Sequence, residues 1–129
     1  MLFSGLNGKK VYVIEGAGLA GEICGVYISK KTKKLKYLAI GDVLSNEIVS
    51  IFAYDKIFGN GDFITVKNLN HLFLEPPNVN SYIFLKLNAN VIDATGQYMG
   101  ILEDINFAEN EEVLKTDLME IKLEDIISS

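Results

Sequence analysis

A glycine-led segment occurs twice in the sequence and constrains the fold more than any other feature does. Residues 21–26 (GEICGV) and 96–101 (GQYMGI) both read glycine, polar, apolar, Cys or Met, glycine, aliphatic, at an offset of 75 residues. A short apolar segment precedes each copy, at residues 11–14 and 91–92. Such an internal repeat predicts one supersecondary unit that is built twice.

Short strands are the secondary structure that the sequence predicts. β-branched and aromatic residues are concentrated in short segments, which Gly, Asn, Asp and Ser separate. The predicted strands are residues 11–14, 23–28, 35–40, 48–53, 63–66, 82–87, 98–107, 112–118 and 119–124. This spacing is typical of an all-β fold, a small sheet or barrel. Residues 54–58 are expected to form one helical turn, and residues 92–107 leave a helix open as the alternative to a strand.

The sequence GAGLAG (residues 16–21) matches the dinucleotide-binding pattern G-x-G-x-x-G. In that pattern the glycines let the backbone approach a pyrophosphate at a helix N-terminus. Asp42 lies 21 residues after Gly21, about where the pattern places a ribose-binding acid. A nucleotide-binding protein is therefore one hypothesis.

Two observations weigh against a nucleotide site at Gly16, Gly18 and Gly21. The helix that the pattern requires would include residues 25–28 (GVYI), which are poor helix formers. The corresponding part of the second copy, residues 90–96 (NVIDATG), lacks most of these glycines. We therefore predict no cofactor. The repeat glycines are interpreted as structural residues of strands and turns: Gly21, Gly25, Gly96 and Gly100.

The composition of the 129-residue chain fits one compact domain or two very small ones. No apolar segment approaches the roughly 20 residues of a membrane-spanning helix, and the first ten residues do not read as a secretory signal. Cys24 is the only cysteine, so an internal disulfide is impossible, and a cytoplasmic location is expected. With His71 it could form a Cys–His pair, but Met99 in the second copy indicates a packed position for Cys24. We predict neither a catalytic site nor a metal site, because no ligand spacing is evident.

Charge is distributed unevenly along the chain. Residues 1–74 carry nine Lys and six acidic residues, a net of +3, whereas residues 75–129 carry three Lys and eleven acidic residues, a net of −8. All twelve basic residues are Lys, so no guanidinium group is present for bidentate recognition of phosphate or guanine. The acidic balance argues against nucleic acid as a partner, because phosphate neutralisation dominates that kind of binding.

A run of lysines lies at the tip of a predicted hairpin. It consists of Lys30, Lys31, Lys33, Lys34 and Lys36. This run is a candidate contact for an acidic protein, an anionic membrane surface or RNA phosphate, and for the acidic half of a second copy. The favoured interpretation is a solvated tip that discourages strands from pairing edge to edge.

The glycine-led strand, the polar hairpin and the apolar strands after it resemble the PRC-barrel family. In the first copy these are residues 21–28, 30–34, 35–40 and 51–57. The second copy is residues 96–107, followed by 121–127. Phe52 and Lys122 depart from the family pattern, since many members carry a proline there.

The PRC-barrel resemblance implies a small all-β barrel fold made of two tandem repeats, as two small barrels or as one complete and one partial barrel. Residues 1–74 form the first repeat in this division. Residues 75–81, which include two prolines, form a linker, and residues 82–129 form a second, shorter repeat.

The resemblance also implies a function. Family members include binding modules, some linked with sporulation in spore-forming bacteria, so we expect a non-enzymatic adaptor in a bacterial developmental (sporulation) or assembly process. The partner would be another protein or a second copy, reached through exposed strand edges or the apolar residues 72–74 (LFL). The alternative is an accessory factor in RNA processing or ribosome maturation.

Overall fold

The computed structural model describes residues 2–16, 18–45, 47–93, 95–107 and 112–123. Within these ranges the regular structure consists of β-strands and three-residue 3-10 helices, which confirms the all-β fold that the sequence predicts. The 3-10 helices are Phe3–Gly5, Tyr54–Lys56, Leu69–His71 and Val79–Ser81. The strands form two sheets, and residues of both sheets share one hydrophobic core.

The first sheet is curled and holds seven strands. These are β1 (Lys10–Glu15), β2 (Gly18–Ser29), β3 (Leu35–Gly41), β4 (Ile48–Ala53), β5 (Ile57–Asn60), β6 (Ile64–Asn68) and β7 (Tyr82–Leu85). Their order is β4-β3-β2-β1-β6-β5, and β7 also pairs with β2. β3 lies along one edge of β2, while β1 pairs with the start of β2 and β7 with its end.

The second sheet is an antiparallel meander in the order β11-β10-β9-β8. Its strands are β8 (Asn90–Ile92), β9 (Tyr98–Phe107), β10 (Glu112–Thr116) and β11 (Glu120–Lys122). The order repeats that of β4-β3-β2-β1. The first meander (β1–β4) and the second meander (β8–β11) are therefore two copies of one unit, as the sequence repeat predicts.

The strand registers of the two meanders correspond in detail. Val11 lies opposite Gly21 in the first meander, as Val91 lies opposite Gly100 in the second. Each long strand then carries a β-bulge, which leaves one residue without a partner on the neighbouring strand. That residue is Cys24 in β2 and Glu103 in β9. Repeated bulges at the same place indicate a shared bend rather than chance similarity.

This correspondence corrects the glycine alignment drawn from the sequence. The registers match Gly21 with Gly100, both of which have positive φ, at +145° and +110°. Gly96 instead lies in the turn between β8 and β9, and the counterpart of Gly25 is Asp104. The G-x-x-x-G spacing occurs in both copies, but its glycines occupy different structural positions in each copy.

The two meanders exchange the segments that precede them. The segment before β8 is β7, which pairs with β2 of the first meander over Val26–Ser29. The segment before β1 forms a bridge from Leu2 to Asn106 on β9 of the second meander. Its Phe3 is fully buried and stacks edge-on against Phe107, with ring centroids 6.3 Å apart. Each copy thus completes the core of the other.

Each predicted strand overlaps an observed one, but β2 begins at Gly18, five residues before the predicted start at residue 23. The helical turn expected over residues 54–58 is present as the 3-10 helix Tyr54–Lys56, and the chain becomes extended at Ile57 to form β5, which was not predicted and pairs with β6. β8 has only three residues. Residues 98–107 form the strand β9, so the helix alternative is wrong there. The division at residues 75–81 stays a prediction, and residues 124–127 of the resemblance lie outside the described residues.

Candidate interaction surfaces

In the GAGLAG segment, Gly16 follows β1 and residues 18–21 already belong to β2. β2 begins at Gly18 and runs as strand to Ser29, so a strand stands where the pyrophosphate pattern requires a helix. Gly16 and Gly18 have φ values of +94° and +70°, as a tight turn needs. A Cβ on Gly21 would collide with the backbone carbonyl oxygen of Gly41. Hairpin geometry and sheet packing therefore account for these three glycines.

Cys24 and His71 are placed on separate elements. Cys24 is half-buried in β2, and burial raises the pKa of its thiol, which disfavours the reactive thiolate. His71 ends the 3-10 helix that follows β6. Among the residues that the structure describes, no group of three or more His, Cys, Asp or Glu side chains is arranged to hold a metal ion.

The lysine tip, defined as Lys30, Lys31, Lys33, Lys34 and Lys36, comprises the connection from β2 to β3 and the second residue of β3. Its backbone is held at Ser29, whose N–H donates to the Lys34 carbonyl (2.9 Å) and whose carbonyl accepts from the Lys33 N–H (2.8 Å). The Thr32 N–H donates to the Ser29 hydroxyl (3.2 Å). The side chains of Lys30, Lys31 and Lys36 are exposed. The tip therefore presents cations on a fixed backbone.

The lysine tip lies beside one end of β7. β2 has β1, β3 and β7 as neighbours, and β3 lies between β2 and β4. β7 pairs only with β2 among the described strands, and its first residue, Tyr82, lies opposite Ser29 at the base of the tip. The interpretation as a solvated tip that discourages edge-to-edge pairing stays a prediction.

The apolar residues 72–74 cross the edge of β4. Phe73 and Ile51 exchange two backbone hydrogen bonds of 2.8 Å, so the segment caps that edge. Leu74 is 85% exposed. Beside it an open groove is lined by Phe73 and residues 75–81. The Lys30 N–H donates to the Ser81 carbonyl (3.0 Å), which joins the lysine tip to this groove.

Phe73 also covers the outer face of the first meander, the face that points away from the shared core. Tyr37, Ala39 and Ile51 are buried there as a second apolar cluster, with Tyr82 packed against them. The rings of Tyr37 and Tyr82 are 5.3 Å apart, centroid to centroid. Burial, and then a hydrogen bond with Tyr82, raise the pKa of Tyr37. This outer face is therefore apolar and closed.

The outer face of the second meander is polar and open. The registers place Glu103, Asn106, Val113, Lys115 and Glu120 where the first meander has Cys24, Tyr27, Tyr37, Ala39 and Ile51. The polar set lines a cleft of about 460 Å³ together with Leu2 and Asp104.

A further apolar surface lies on the outer side of β1 and its neighbours. We define the apolar face as Tyr12, Ile14, Leu19 and Phe63. Tyr12 pairs across the hairpin with Leu19, and its ring meets Phe63 edge-on at 5.2 Å. Ile14, Leu19 and Phe63 are 52%, 47% and 50% exposed. Phe58 on the edge strand β5 is 65% exposed.

The sequence of β1 itself indicates the apolar face. In β1 the residues Val11, Tyr12, Val13 and Ile14 are all apolar, whereas a strand with one solvated face alternates apolar with polar. Val11 and Val13 are buried in the core, so Tyr12 and Ile14 are additional apolar residues on the other face of β1. An unbroken apolar run in a strand covered on one side only predicts an exposed apolar patch.

No protein-family model matches the chain, and no curated protein matches it in sequence. The PRC-barrel resemblance therefore stays a prediction. In the described part of the chain, no helix has the length and apolar character needed to cross a membrane.

Proposed function

We propose that the chain is a non-enzymatic adaptor that binds another protein through the apolar face of Tyr12, Ile14, Leu19 and Phe63. The single observation that carries this proposal is the exposure of Ile14, Leu19 and Phe63 around Tyr12, which pairs with Leu19 and contacts Phe63 on a hydrogen-bonded sheet. Large contiguous apolar patches on a folded surface are typical of interaction sites.

The apolar face has the anatomy of an interface centre. Aromatic and large aliphatic side chains are enriched at the cores of protein interfaces, and charged groups are enriched at their rims. Lys67 follows that pattern, because the β1–β6 register places it beside Ile14 at the edge of the patch. β1 lies between β2 and β6, so the backbone beneath the patch is already ordered before a partner binds.

The resemblance to PRC-barrel proteins supports the same function, because members of that family include binding modules. A cytoplasmic location and a role in a bacterial developmental (sporulation) or assembly process belong to this proposal. The RNA-processing alternative depends on the lysine tip alone, and binding of oligouridylate RNA to that surface tests it.

Affinity capture with a double variant tests the proposal. Ile14→Asp with Phe63→Asp places two charges on the apolar face, and we expect the bound partner to fall about tenfold relative to the unmodified chain. A matched control, Leu44→Asp with Leu118→Asp, places the same charges at sites 95% and 60% exposed outside the face. Circular dichroism verifies that both variants fold.

Two results would overturn the assignment. If both variants retain the same partners at the same level, the apolar face does not bind them. If sedimentation shows a dimer that only the Ile14/Phe63 variant dissociates, the partner is a second copy and the adaptor function is wrong.

A further inference from the structure

We propose that the lysine tip and the groove beside it form a second binding surface, which takes an acidic protein segment that carries a large apolar side chain. This surface goes beyond the proposed function, because it lies at the far end of β2 from the apolar face. Leu19 is near the start of that strand and Ser29 is its last residue. At about 3.3 Å per residue, β2 separates the two surfaces by roughly 30 Å.

The first part of the argument is the fixed arrangement of the cations. The backbone hydrogen bonds at Ser29 hold the tip, and Lys33 sits in the left-handed region with φ +60°. A non-glycine residue there is uncommon and persists where the surrounding structure determines it. Since the backbone is ordered already, a partner's carboxylates bind without the cost of ordering the loop.

The second part is the open groove, whose apolar wall is formed by Phe73, the two prolines and Val79. Phe73 and Val79 are 43% and 47% exposed, and Leu74 beside the groove is 85% exposed. Phe73 is anchored through its two backbone bonds to Ile51, so it is a fixed wall rather than a loose side chain. A groove of this kind accommodates one large apolar side chain of a partner.

The third part is the contact between the two features. The bond from the Lys30 N–H to the Ser81 carbonyl sets the tip directly against the residues that line the groove. An extended segment covers about 3.3 Å per residue, so a few residues span from the groove to the lysines. One short segment can therefore place an apolar side chain in the groove and carboxylates on the tip.

Charge complementarity identifies the occupant as an acidic peptide segment rather than nucleic acid. The tip is a local cationic site on a chain with a net charge of −5, and residues 75–129 carry −8. A long polyanion experiences that repulsion over its whole length, whereas a short acidic segment meets only the tip. Glu75 lines the groove and carries a negative charge, so it disfavours a partner's carboxylates at the groove end of this surface.

The experiment is fluorescence anisotropy with the full chain and four labelled probes of equal length. The probes are a peptide of Glu and Asp with one central Leu-Phe pair, the same peptide with Ser-Ser in place of Leu-Phe, a Lys version of the first peptide, and oligouridylate RNA. We expect the first probe to bind about tenfold more tightly than the Ser-Ser probe. The Lys peptide should not displace the first probe from the lysine tip, and added salt should weaken the binding of the first probe.

Charge-reversal variants locate the binding site. Lys30→Glu, Lys31→Glu and Lys33→Glu together should weaken the first probe about tenfold. The matched control reverses Lys56, Lys67 and Lys86, which are exposed and lie outside the lysine tip, and it should change binding much less. Glu75→Gln should strengthen binding, because it removes the opposing charge. Val79→Ser should weaken the first probe and leave the Ser-Ser probe unchanged.

Specific outcomes would overturn this assignment. Equal losses in the two lysine triples would show that only net charge matters. Tighter binding of oligouridylate than of the acidic peptide would favour the RNA-processing alternative. The Ile14/Phe63 variant should bind the first probe normally, so failure of this surface and failure of the apolar face are separable.

Discussion

The two meanders share their inner faces and differ on their outer faces. On the inside, the registers match Ile23 with Leu102 and Val26 with Ile105, and all four side chains are at most 1% exposed. On the outside, the buried Ile51 of the first meander corresponds to the exposed Glu120 of the second. The same strand geometry therefore carries a closed apolar face in one copy and an open polar face in the other.

This difference shows which features define the repeated unit. The positive-φ glycine, the bulge and the inner side chains recur, so they set the curvature and the shared core. Whether an outer face is apolar or polar depends on what covers it. Phe73 and β7 cover the outer face of the first meander. Four sets of substitutions test this division, and the largest effect is expected where the two copies meet.

Phe3→Ala should have the largest effect, because Phe3 belongs to the segment that the first copy contributes to the second. Its side chain is fully buried against Phe107. Loss of a buried aromatic side chain costs about 3–5 kcal/mol of the free energy of unfolding, measured by urea denaturation. Leu2→Ala, in the same segment but 51% exposed, is the control and should cost much less.

Hydrogen exchange shows whether the exchanged segments couple the copies. In Phe3→Ala the amides of Val26 in β2 and Ile105 in β9 should lose protection together, because one core contains both. If only Ile105 becomes less protected, the meanders are separate units, and the shared core does not unify them.

Ile51→Glu should have the second-largest effect, because it copies the residue of the open face into the closed one. Ile51 is fully buried beneath Phe73, so the carboxylate would be desolvated without a partner. We expect a loss of about 3 kcal/mol at neutral pH, reduced at acidic pH where the carboxyl is neutral.

The reverse substitution, Glu120→Ile, is the matched control for Ile51→Glu. Glu120 is exposed on β11, so the change should fall within about 0.5 kcal/mol of zero. Similar large losses of stability in both variants would contradict the difference between a closed outer face at Ile51 and an open outer face at Glu120.

Alanine at the repeat glycines should produce a graded series that starts at about the size of the Ile51→Glu effect and decreases from there. Gly21→Ala combines φ +145° with a collision against a backbone carbonyl, so we expect a loss of about 3 kcal/mol. Gly100→Ala meets the side chains of Thr116 and Asp117 rather than backbone atoms, and should cost about 2 kcal/mol. Gly96→Ala meets no atom within 4 Å and should cost about 1 kcal/mol for its φ of +87°.

The glycine series also decides between the two alignments of the repeat. The structural registers predict that Gly21 and Gly100 behave alike, whereas the sequence alignment pairs Gly21 with Gly96. Thermal unfolding of the three variants measures the order. A Gly96→Ala variant as unstable as Gly21→Ala would contradict the registers.

Local patterns in the sequence predict the strands and the repeat but not the relations between distant segments. β-branched residues and turn residues mark most strands, because these preferences act over a few residues. The glycine register depends on the bulge at Cys24, which only strand pairing reveals. The exchange of β7 and of the segment containing Phe3 joins residues far apart in sequence, and no local pattern encodes it.

The candidate surfaces show the same limit. The lysine run is evident in the sequence, but its position beside Ser81 and β7 depends on the strand order. The link between the groove and the lysine tip depends on the contact between Lys30 and Ser81, which are 51 residues apart in sequence. The apolar face required only the observation that both sides of β1 are apolar.

Asp104→Asn should have the smallest of these effects, and it tests the contact at the position equivalent to Gly25. A Cβ on Gly25 would meet the ring of Phe84 on the exchanged strand β7, 2.6 Å away. In the second copy, Asp104 accepts hydrogen bonds from the Ser4 N–H (2.9 Å) and the Ser4 hydroxyl (2.6 Å) of the exchanged N-terminal segment. The same position thus contacts the exchanged segment in both copies, by close packing in one and by hydrogen bonds in the other.

The acid-side stability of Asp104→Asn follows from the pKa of this carboxyl. Burial raises the pKa, but the hydrogen bonds from Ser4 and Ile105 outweigh burial and lower it overall. A lowered pKa means that the carboxylate stabilises the fold above the ordinary Asp pKa, and that this contribution is lost as pH falls through the lowered value. We expect Asp104→Asn to cost about 1 kcal/mol at neutral pH and progressively less below the ordinary Asp pKa.

Urea denaturation from neutral to acidic pH measures this difference, and Asp93→Asn is its control. Hydrogen bonds from Thr95 and Gln97 also lower the pKa of Asp93, but they close only the turn between β8 and β9. Loss of the Asp104 contact should therefore reduce the protection of amides in the N-terminal segment, and loss of the Asp93 contact should not. Equal protection of that segment in both variants would show that Asp104 does not hold the exchanged segment, and that packing of Phe3 alone keeps it in place.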